Sequence, residues 1–460
     1  MAFLILTCGS LSAATYYVDS ENGLDSHDGL SETKAFQTLD KVNQFPFQPG
    51  DRVLFKSNGL WRGTLKPCSG EPGNPVYYGA YGLNESRAKE LIPAGFPRLY
   101  GSLDYAAADL WSETDTNIWV SKAVEPTSAL YFPCDVGNII FREDDSFFAA
   151  APEQQKNHPL CGVKKWSKSD LKSPHDYYYQ PEEHRVYIYH KGNPASDCAM
   201  MEMALRKHVI NESDCHDVTY ENLAVAFGAA HGFGGGNVKR LVINRCKVYY
   251  IGGGHQHTKN GRPVRFGNGI EFWNNAEDII VSNNCIYQIY DAALTNQGSA
   301  DTGSKNTSIQ RNIIWRKNYI FCAEYSFEYW NRDAGQKTDN ILFEDNTCLY
   351  AGFGWGHNQR PDINGAHLMF YNNSAKTTNF TVKNNRFCNS TEVCIRMEND
   401  WRSGLTLTKN TYEQAPGKAV IRWLRNNYFG LSDLKKYQQE TGLDKKSQFA
   451  PYVEPEKSAL

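Results

Sequence analysis

The sequence predicts an all-β protein built as a right-handed parallel β-helix, a solenoid with an N-terminal helical cap and a β-rich insertion. Three observations lead there. First, five segments (279–286, 307–314, 341–348, 380–387 and 405–412) repeat an apolar or β-branched run, an Asn and further apolar residues, with weaker copies at 241–247 and 218–223. Their asparagines, Asn284, Asn312, Asn346, Asn385 and Asn410, are 28, 34, 39 and 25 residues apart, the variable spacing of coils that carry loops of different length. Second, the strands are short and of period two, separated by Asn and Gly, with almost no helical pattern between them. Third, the hairpin turns and fixed blade period that a sandwich or propeller needs are missing. Asn suits such a corner because it tolerates the left-handed conformation and because stacked amides bond along the axis. The five asparagines are therefore expected to stack at one corner.

The elements follow in chain order. Residues 1–14 combine an apolar run with the small residues Ser12, Ala13 and Ala14, and read as the end of a secretory signal without its basic start, which places the protein in the secreted or periplasmic class. A single β-helix domain then occupies 15–430. It opens on the strand Tyr16-Tyr17-Val18, and the helical spacing of Phe36, Leu39 and Val42 within 31–45 predicts a cap over the open end of the core. Pro49-Gly50-Asp51 gives a turn before a strand at 52–55. From about 99 to 203 the Asn repeat lapses while Trp111, Trp119, Trp166 and several prolines appear, as expected of a β-rich elaboration on the solenoid. The glycine-rich segments 232–236 and 252–254 lack the strand–GxGxxG–helix context of a nucleotide loop and read as turns. The end, 431–460, is read as a C-terminal cap with a short helix at 431–441 and a Pro/Lys/Glu tail.

Composition narrows the partners. With 48 basic against 51 acidic residues in 460, the chain lacks the broad positive field that binds a nucleic-acid backbone. No run reaches the roughly 18 apolar residues of a membrane span. The chain has 10 Trp, 27 Tyr and 23 Phe, so many rings must meet polar surface, as in a protein that binds sugars. Its 12 cysteines form no CxxC or CxxH pair, and Cys246, Cys285, Cys322, Cys348 and Cys394 lie inside apolar strand patterns. They are expected to be buried free thiols rather than disulfides or zinc ligands.

A resemblance then becomes specific. The opening 16–19, with Ala35-Phe36-Gln37-Thr38-Leu39, Pro49-Gly50-Asp51 and Ser69-Gly70-Glu71-Pro72-Gly73-Asn74-Pro75-Val76, resembles secreted bacterial proteins of the pectin-lyase-like β-helix superfamily. Leu99-Tyr100-Gly101-Ser102, Leu110-Trp111-Ser112 and Asn117-Ile118-Trp119 look like the insert of β-helix glycosidases of the β-xylosidase type. The resemblance spans essentially the whole mature chain and implies the fold strongly and the reaction weakly, because that superfamily holds hydrolases, lyases and non-catalytic proteins.

Three coils align through Ile270, Leu294 and Phe327, with a fourth through Leu368, and if these point inward the residues at odd offsets point outward. The outward columns are then Gly267/Asp291/Glu324/Gly365, Gly269/Ala293/Ser326/His367, Glu271/Thr295/Glu328/Met369 and Trp273/Gln297/Trp330/Tyr371. Four carboxylates gather there, with small residues at 269, 293 and 326 expected to leave room for a sugar ring. Glycoside hydrolysis needs two carboxyls, about 5–5.5 Å apart for retention or 6.5–9.5 Å for inversion. Asp291 is read as nucleophile or general base and Glu324 or Glu328 as general acid. Glu271, His257, Arg265 and Arg360 are read as positioning the substrate, with Trp273, Trp330 and Tyr371 stacking on it.

The function expected is thus a secreted glycoside hydrolase acting on a polysaccharide or its oligomers, with no cofactor and no metal. His255 and His257 are spaced for a metal but lack a third ligand, and are read as hydrogen-bonding to hydroxyls. The alternative is a polysaccharide lyase in which Lys259, Arg265 or His257 removes the proton α to a uronate carboxyl, with Ca²⁺ possible as the neutralising ion. Four outward carboxylates disfavour a polyanionic substrate. A third reading is a non-catalytic carbohydrate-binding solenoid.

Overall fold

The computed structural model describes residues 13–91, 93–124, 133–143, 160–196, 198, 200–298, 308–362 and 364–453, and over them the chain is a right-handed parallel β-helix. The signal segment read at 1–14 falls almost wholly outside the described residues. Among the described residues 25 strands join one network that is parallel throughout, except for the terminal pair Ile421–Trp423 and Asn427–Phe429. None of the described helices is long and apolar enough to cross a membrane.

The chain winds through three faces, each with an inward column of apolar side chains in register. The first stacks Ile243, Val281, Trp315, Phe343, Val382 and Leu407. The second stacks Val225, Val248, Ile286, Ile320, Cys348, Phe387 and Tyr412. On the third lie Phe233, Ile270, Leu294, Phe327, Leu368 and Ile395, so the inward residues expected from the alignment of coils do point inward. All three columns belong to one continuous core. A slip of one residue would turn a column out to water, which is why burial fixes the register.

Between the first and second faces runs a ladder of buried amides. Asn318 Oδ1 accepts from Asn284 N and Nδ2 at 3.1 and 2.9 Å. Asn346 takes Asn318 in the same way, Asn385 takes Asn346, and Asn410 takes Asn385. Each Nδ2 also reaches a backbone carbonyl of the neighbouring coil, Asn346 to Trp315 at 2.9 Å for example. The left-handed conformation is supplied by the residue before each rung: Asn283, Lys317, Asp345, Asn384 and Lys409, with φ from 53 to 58°.

Asn312 is not in this ladder, contrary to the expectation that the five repeat asparagines share a corner. It has φ 56° in a different column with Asp278, Asn340 and Asn379, donating to Asp278 Oδ1 at 2.7 Å and accepting from Asn340 Nδ2 at 2.9 Å. Two corners of one coil both satisfy the pattern of apolar run, Asn, apolar run. In the coil at 309–320 the pattern matched the wrong one, and the true rung is Asn318.

The ends and the insertion also differ in detail. The N-terminal cap is a helix of only six residues, Leu39–Gln44, closed by Thr38 Oγ1 accepting from Lys41 N at 3.1 Å. Phe36 instead forms a bridge with Val18, yet Phe36, Leu39 and Val42 all enter the core. At the other end Leu434–Thr441 caps with Tyr437, but Gln448–Pro451 then returns as a further rung beside Thr411–Gln414, so 431–453 is more than cap and tail. The first glycine-rich segment departs from expectation too: 233–236 begin the strand Phe233–Asn244 rather than a turn, whereas Gly252 and Gly253 do turn, at φ 100 and 95°. The insertion holds a three-stranded antiparallel sheet (Ser102–Asp104, Val136–Ile140, Glu202–Leu205) and a five-stranded one, around a core of its own. The eleven described cysteines are free thiols.

Replacing a ladder rung should therefore cost more than replacing the misassigned Asn. Asn346→Ala strands the Asn318 backbone N–H and the Trp315 carbonyl, and is expected to lose about 2–4 kcal/mol in denaturant unfolding. Asn312→Gly keeps a left-handed residue at a half-buried corner and is expected to lose less than about 1 kcal/mol.

Candidate active site

The third face carries the cleft, a cavity of about 620 Å³. Its floor is the outward side of Ile270–Ser282, Cys285–Gln297 and Tyr319–Trp330, and its rim includes the hairpin Gly254–Lys259/Arg262–Phe266 and the 360–362 segment. One coil earlier, Gly234 and Gly236 stand level with Glu271 and Trp273. A Cβ at Gly234 would meet the His208 ring at 2.6 Å, so glycine there makes room for the histidines packed beside Glu271.

Glu271 and Glu328 face this space from one column, with Thr295 between them. Glu271 is held by the Asn268 side-chain amide and lies 3.2 Å from His231 Nε2. His231 Nδ1 accepts the Asn268 backbone N–H at 2.9 Å, so the neutral ring carries its proton on Nε2 and donates it to Glu271. Burial keeps this histidine neutral, with its pKa pushed down to about 3, and His208 stacks on its ring at 4.9 Å. Desolvation pushes the Glu271 carboxyl up to about 7 against the opposing Asn268 bond.

Glu328 accepts from Gln297 Nε2 at 2.6 Å, and among the described residues no cation lies at hydrogen-bond range of it. Burial pushes its pKa well above the carboxylate range, and the neighbouring Asp291 and Glu271 charges push the same way. Asp291 lies on the adjacent strand and is paired with Arg360 Nη1 at 3.1 Å. Burial raises it to about 6, with the Arg360 charge pulling down and the Asp362 and Glu324 charges adding to the rise. The two carboxyls thus differ by one cation, which keeps Asp291 the more acidic.

Glu324 is elsewhere. The sequence columns set it beside Asp291 facing outward, but it is 2% exposed and does not line the cleft. His357 Nδ1 lies 2.9 Å from its Oε2, Asn364 N donates to its Oε1 at 3.2 Å, and Arg360 Nε is 3.8 Å away. A bulge separates the pair: between Ile289/Ala323 and Ala292/Tyr325 two residues, Tyr290 and Asp291, oppose the single Glu324. The small-residue column is also overturned. Ser326 bonds His367 Nδ1 at 2.9 Å, and His367 packs on the core residue Phe387 at 5.7 Å. Ala293 belongs to the core, and a Cβ on Gly269 would meet Ile286, another core residue. The chain turns a corner here, so Ala293 and Leu294 both face inward and strict alternation fails.

Trp273 and Trp330 lean together over Gln297 with centroids 5.9 Å apart and line the cleft, as does Tyr371. His257 is exposed on the rim hairpin. Arg265 lines the cleft but is 8% exposed, its guanidinium donating to the Gly253 and Gly137 carbonyls at 2.7 and 2.8 Å and to Gln359 Oε1 at 2.9 Å. It ties the hairpin to the insertion rather than offering its charge to the cleft. Sequence reasoning missed His231, Asn268 and Asp362 and gave Gln297 no role. Extending the alignment one coil back, Phe233 on Ile270, was the signal that would have set His231 level with Asn268, the residue that holds Glu271. Among the described residues no group of three or more His, Cys, Asp or Glu side chains is arranged to hold a metal ion.

No protein-family model and no curated protein sequence matches the chain. Among solved structures it is similar to one described as a glycoside hydrolase, at 9% identity over 97% of this chain and 98% of that one with a TM-score of 0.49. It is similar to XylC in complex with xylose, at 10% identity over 90% and 86% of the two chains and a TM-score of 0.40. It is also similar to an alginate lyase from a Paenibacillus species, at 10% identity over 91% and 96% and a TM-score of 0.40. Likenesses of this degree bear on neither reaction nor substrate.

The Glu271 environment gives a pH prediction. A carboxyl raised from 4.5 to about 7 by folding contributes stability that is full below about pH 4.5 and is lost as pH rises to about 7. Glu271→Gln has no such proton to lose. Between pH 4.5 and 7 its unfolding free energy should therefore fall less, or rise more, than that of the wild type, and parallel curves would show that Glu271 titrates normally.

Proposed function

We propose that the chain is a glycoside hydrolase that cleaves a polysaccharide or its oligomers, with Glu328 as general acid and Asp291 as nucleophile or general base. The observation that supports this is the split between two carboxyls in one aromatic-walled cleft: Asp291 paired to Arg360 at 3.1 Å, and Glu328 bonded to the Gln297 amide with no cation beside it among the described residues. As pH rises Asp291 ionises first, near 6, while Glu328, pushed well above the carboxylate range by burial and by the Asp291 and Glu271 charges, holds its proton longer, the order that an acid and a nucleophile or base in one glycosidic site require. Glu328 gives its proton to the leaving oxygen while Asp291 attacks the anomeric carbon or activates a water. Glu271, kept in place by Asn268 and His231, is suited to a sugar hydroxyl, and Trp273, Trp330 and Tyr371 to the apolar face of a ring. Glu324 and His357 act through Arg360 and its loop, as positioning residues. An exported location fits a polymer substrate and remains part of the proposal.

Asp291→Asn and Glu328→Gln are each expected to lower kcat on a polysaccharide by roughly 10²- to 10⁴-fold, because an amide keeps the shape and removes charge and proton transfer. In the wild type the acid limb of kcat/KM should lie near pH 6, where Asp291 protonates. On an aryl glycoside whose leaving group needs no proton, Glu328→Gln should keep that acid limb and lose the alkaline one. An unsaturated, ultraviolet-absorbing product, with Lys259→Ala inactive and Asp291→Asn active, would replace hydrolysis by β-elimination. Release of neither new reducing ends nor unsaturated ends, with binding retained, would leave a carbohydrate-binding solenoid.

A further inference from the structure

The cations around the cleft fall into two groups. Arg265 and Arg360 are buried and spent: the first on carbonyls and Gln359, the second on the Tyr290 carbonyl at 3.0 Å, Asp291 at 3.1 Å and Asp362 at 3.5 Å. Lys259 and Arg332 also line the cleft, yet both are exposed, and among the described residues neither side chain makes a hydrogen bond or ion pair. Arg332 lies over the Trp330 ring, 5.5 Å from its centroid. Lys259 enters from the rim hairpin, on a separate element of the chain. Two unspent charges thus enter one cavity from different elements, and one of them is seated on the aromatic wall.

Their place along the strand matters. Trp330 follows Glu328 by two residues, about 7 Å at 3.3 Å per residue, and Arg332 follows by four, at most about 13 Å. A group held by Arg332 is therefore displaced along the cleft from Glu328, beyond the Trp273/Trp330 pair. The carboxylates that would repel an anion are Asp291, answered by Arg360; Asp362, answered by the same guanidinium; and Glu271 and Glu328, both raised by burial toward their neutral forms. The repulsion that the sequence reading set against an acidic substrate is thus largely cancelled within the structure.

We propose that the cleft has an anion-accepting subsite beside the point of cleavage: a sugar ring rests on Trp273 and Trp330 while an acidic substituent, a uronate carboxylate or a sulfate ester, is met by Arg332 and Lys259. The substrate class is then an acidic polysaccharide or one with acidic side units. This rests on the hydrolase reading only for what happens next to the subsite; recognition itself is read separately, by binding.

The test uses full-length Asp291→Asn protein and three oligosaccharides of equal length, one neutral, one containing uronic acid and one sulfated, titrated with tryptophan fluorescence as the signal. At low salt at least one acidic ligand should bind about tenfold or more tighter than the neutral one, and which one does so distinguishes carboxylate from sulfate. The preference should shrink as salt rises and disappear in the added double variant Arg332→Ala/Lys259→Ala, with circular dichroism confirming an intact fold. Arg332→Lys should retain part of it. Equal binding of all three ligands, or a preference that survives the double variant, overturns the subsite. A chain that prefers acidic ligands but cleaves none keeps the subsite and loses the hydrolase reading, and one that hydrolyses neutral oligomers without preference does the reverse.

Discussion

The amide ladder from Asn284 to Asn410 is the interaction that the rest of this molecule depends on. Each rung satisfies a backbone donor and a carbonyl of adjacent coils in a place that water does not reach, and an unmet group there costs about 1–3 kcal/mol. That penalty fixes where every coil turns from the first face to the second. On the third face the pairing of Ile270, Leu294 and Phe327 then sets which outward residues of successive coils line up. Glu271, Thr295 and Glu328 share a column for this reason, as do Trp273, Gln297 and Trp330. Moving one coil by a residue would put carboxyls in the core and Leu294 or Phe327 in water.

Register alone would leave these carboxyls as ordinary solvated acids on a sheet. What changes them is the covering, and the insertion anchors it. Asp135 of the insertion accepts the His255 backbone N–H at 2.8 Å and pairs with the buried Lys164, which also donates to the Val136 carbonyl at 2.7 Å. Gln359, on the segment leading to Arg360, donates to the Gly162 carbonyl at 2.9 Å and accepts from Arg265. The hairpin and the 352–362 segment are thus tied to the same body of chain. By excluding water they raise Glu271 and Glu328, while the Arg360 guanidinium goes to Asp291. The division of protonation states is a property of the covering more than of the sheet.

The sequence showed what repeats and concealed what does not. Period-two strands and the inward residues Ile270, Leu294, Phe327 and Leu368 were legible because each coil states them again, and with them the outward placing of Glu271, Glu328, Trp273 and Trp330. The Asn312 error shows the limit of the same method: two corners of one coil present similar local patterns, and only the stacking of neighbouring coils tells Asn318 from Asn312. Ser326 and His367 were misplaced because corners suspend alternation, and no residue type marks the point where two consecutive side chains turn inward. Arg265 was misread because its partners, Gly137, Gly253 and Gln359, are backbone carbonyls and a distant side chain that no spacing reveals.

The separation of Asp291 from Glu324 has the same character, and it decides the chemistry the cleft can perform. In a regular ladder the two would stand side by side on neighbouring strands, two buried acids of like charge competing for one guanidinium. The extra residue at Tyr290–Asp291 takes them out of register, so that each carboxyl meets a different nitrogen of that guanidinium. Bulges of this kind re-aim a side chain locally without disturbing the pairing on either side, and here Ile289/Ala323 and Leu294/Phe327 remain in register around it. Asp291 emerges into the cleft and takes Arg360 Nη1 at 3.1 Å. Glu324 stays below, 3.8 Å from Nε of the same arginine and 2.9 Å from His357. One carboxylate is thereby left to orient the cation and its loop while the other is free to meet a substrate, so a single inserted residue converts a repeated motif into two positions with different work.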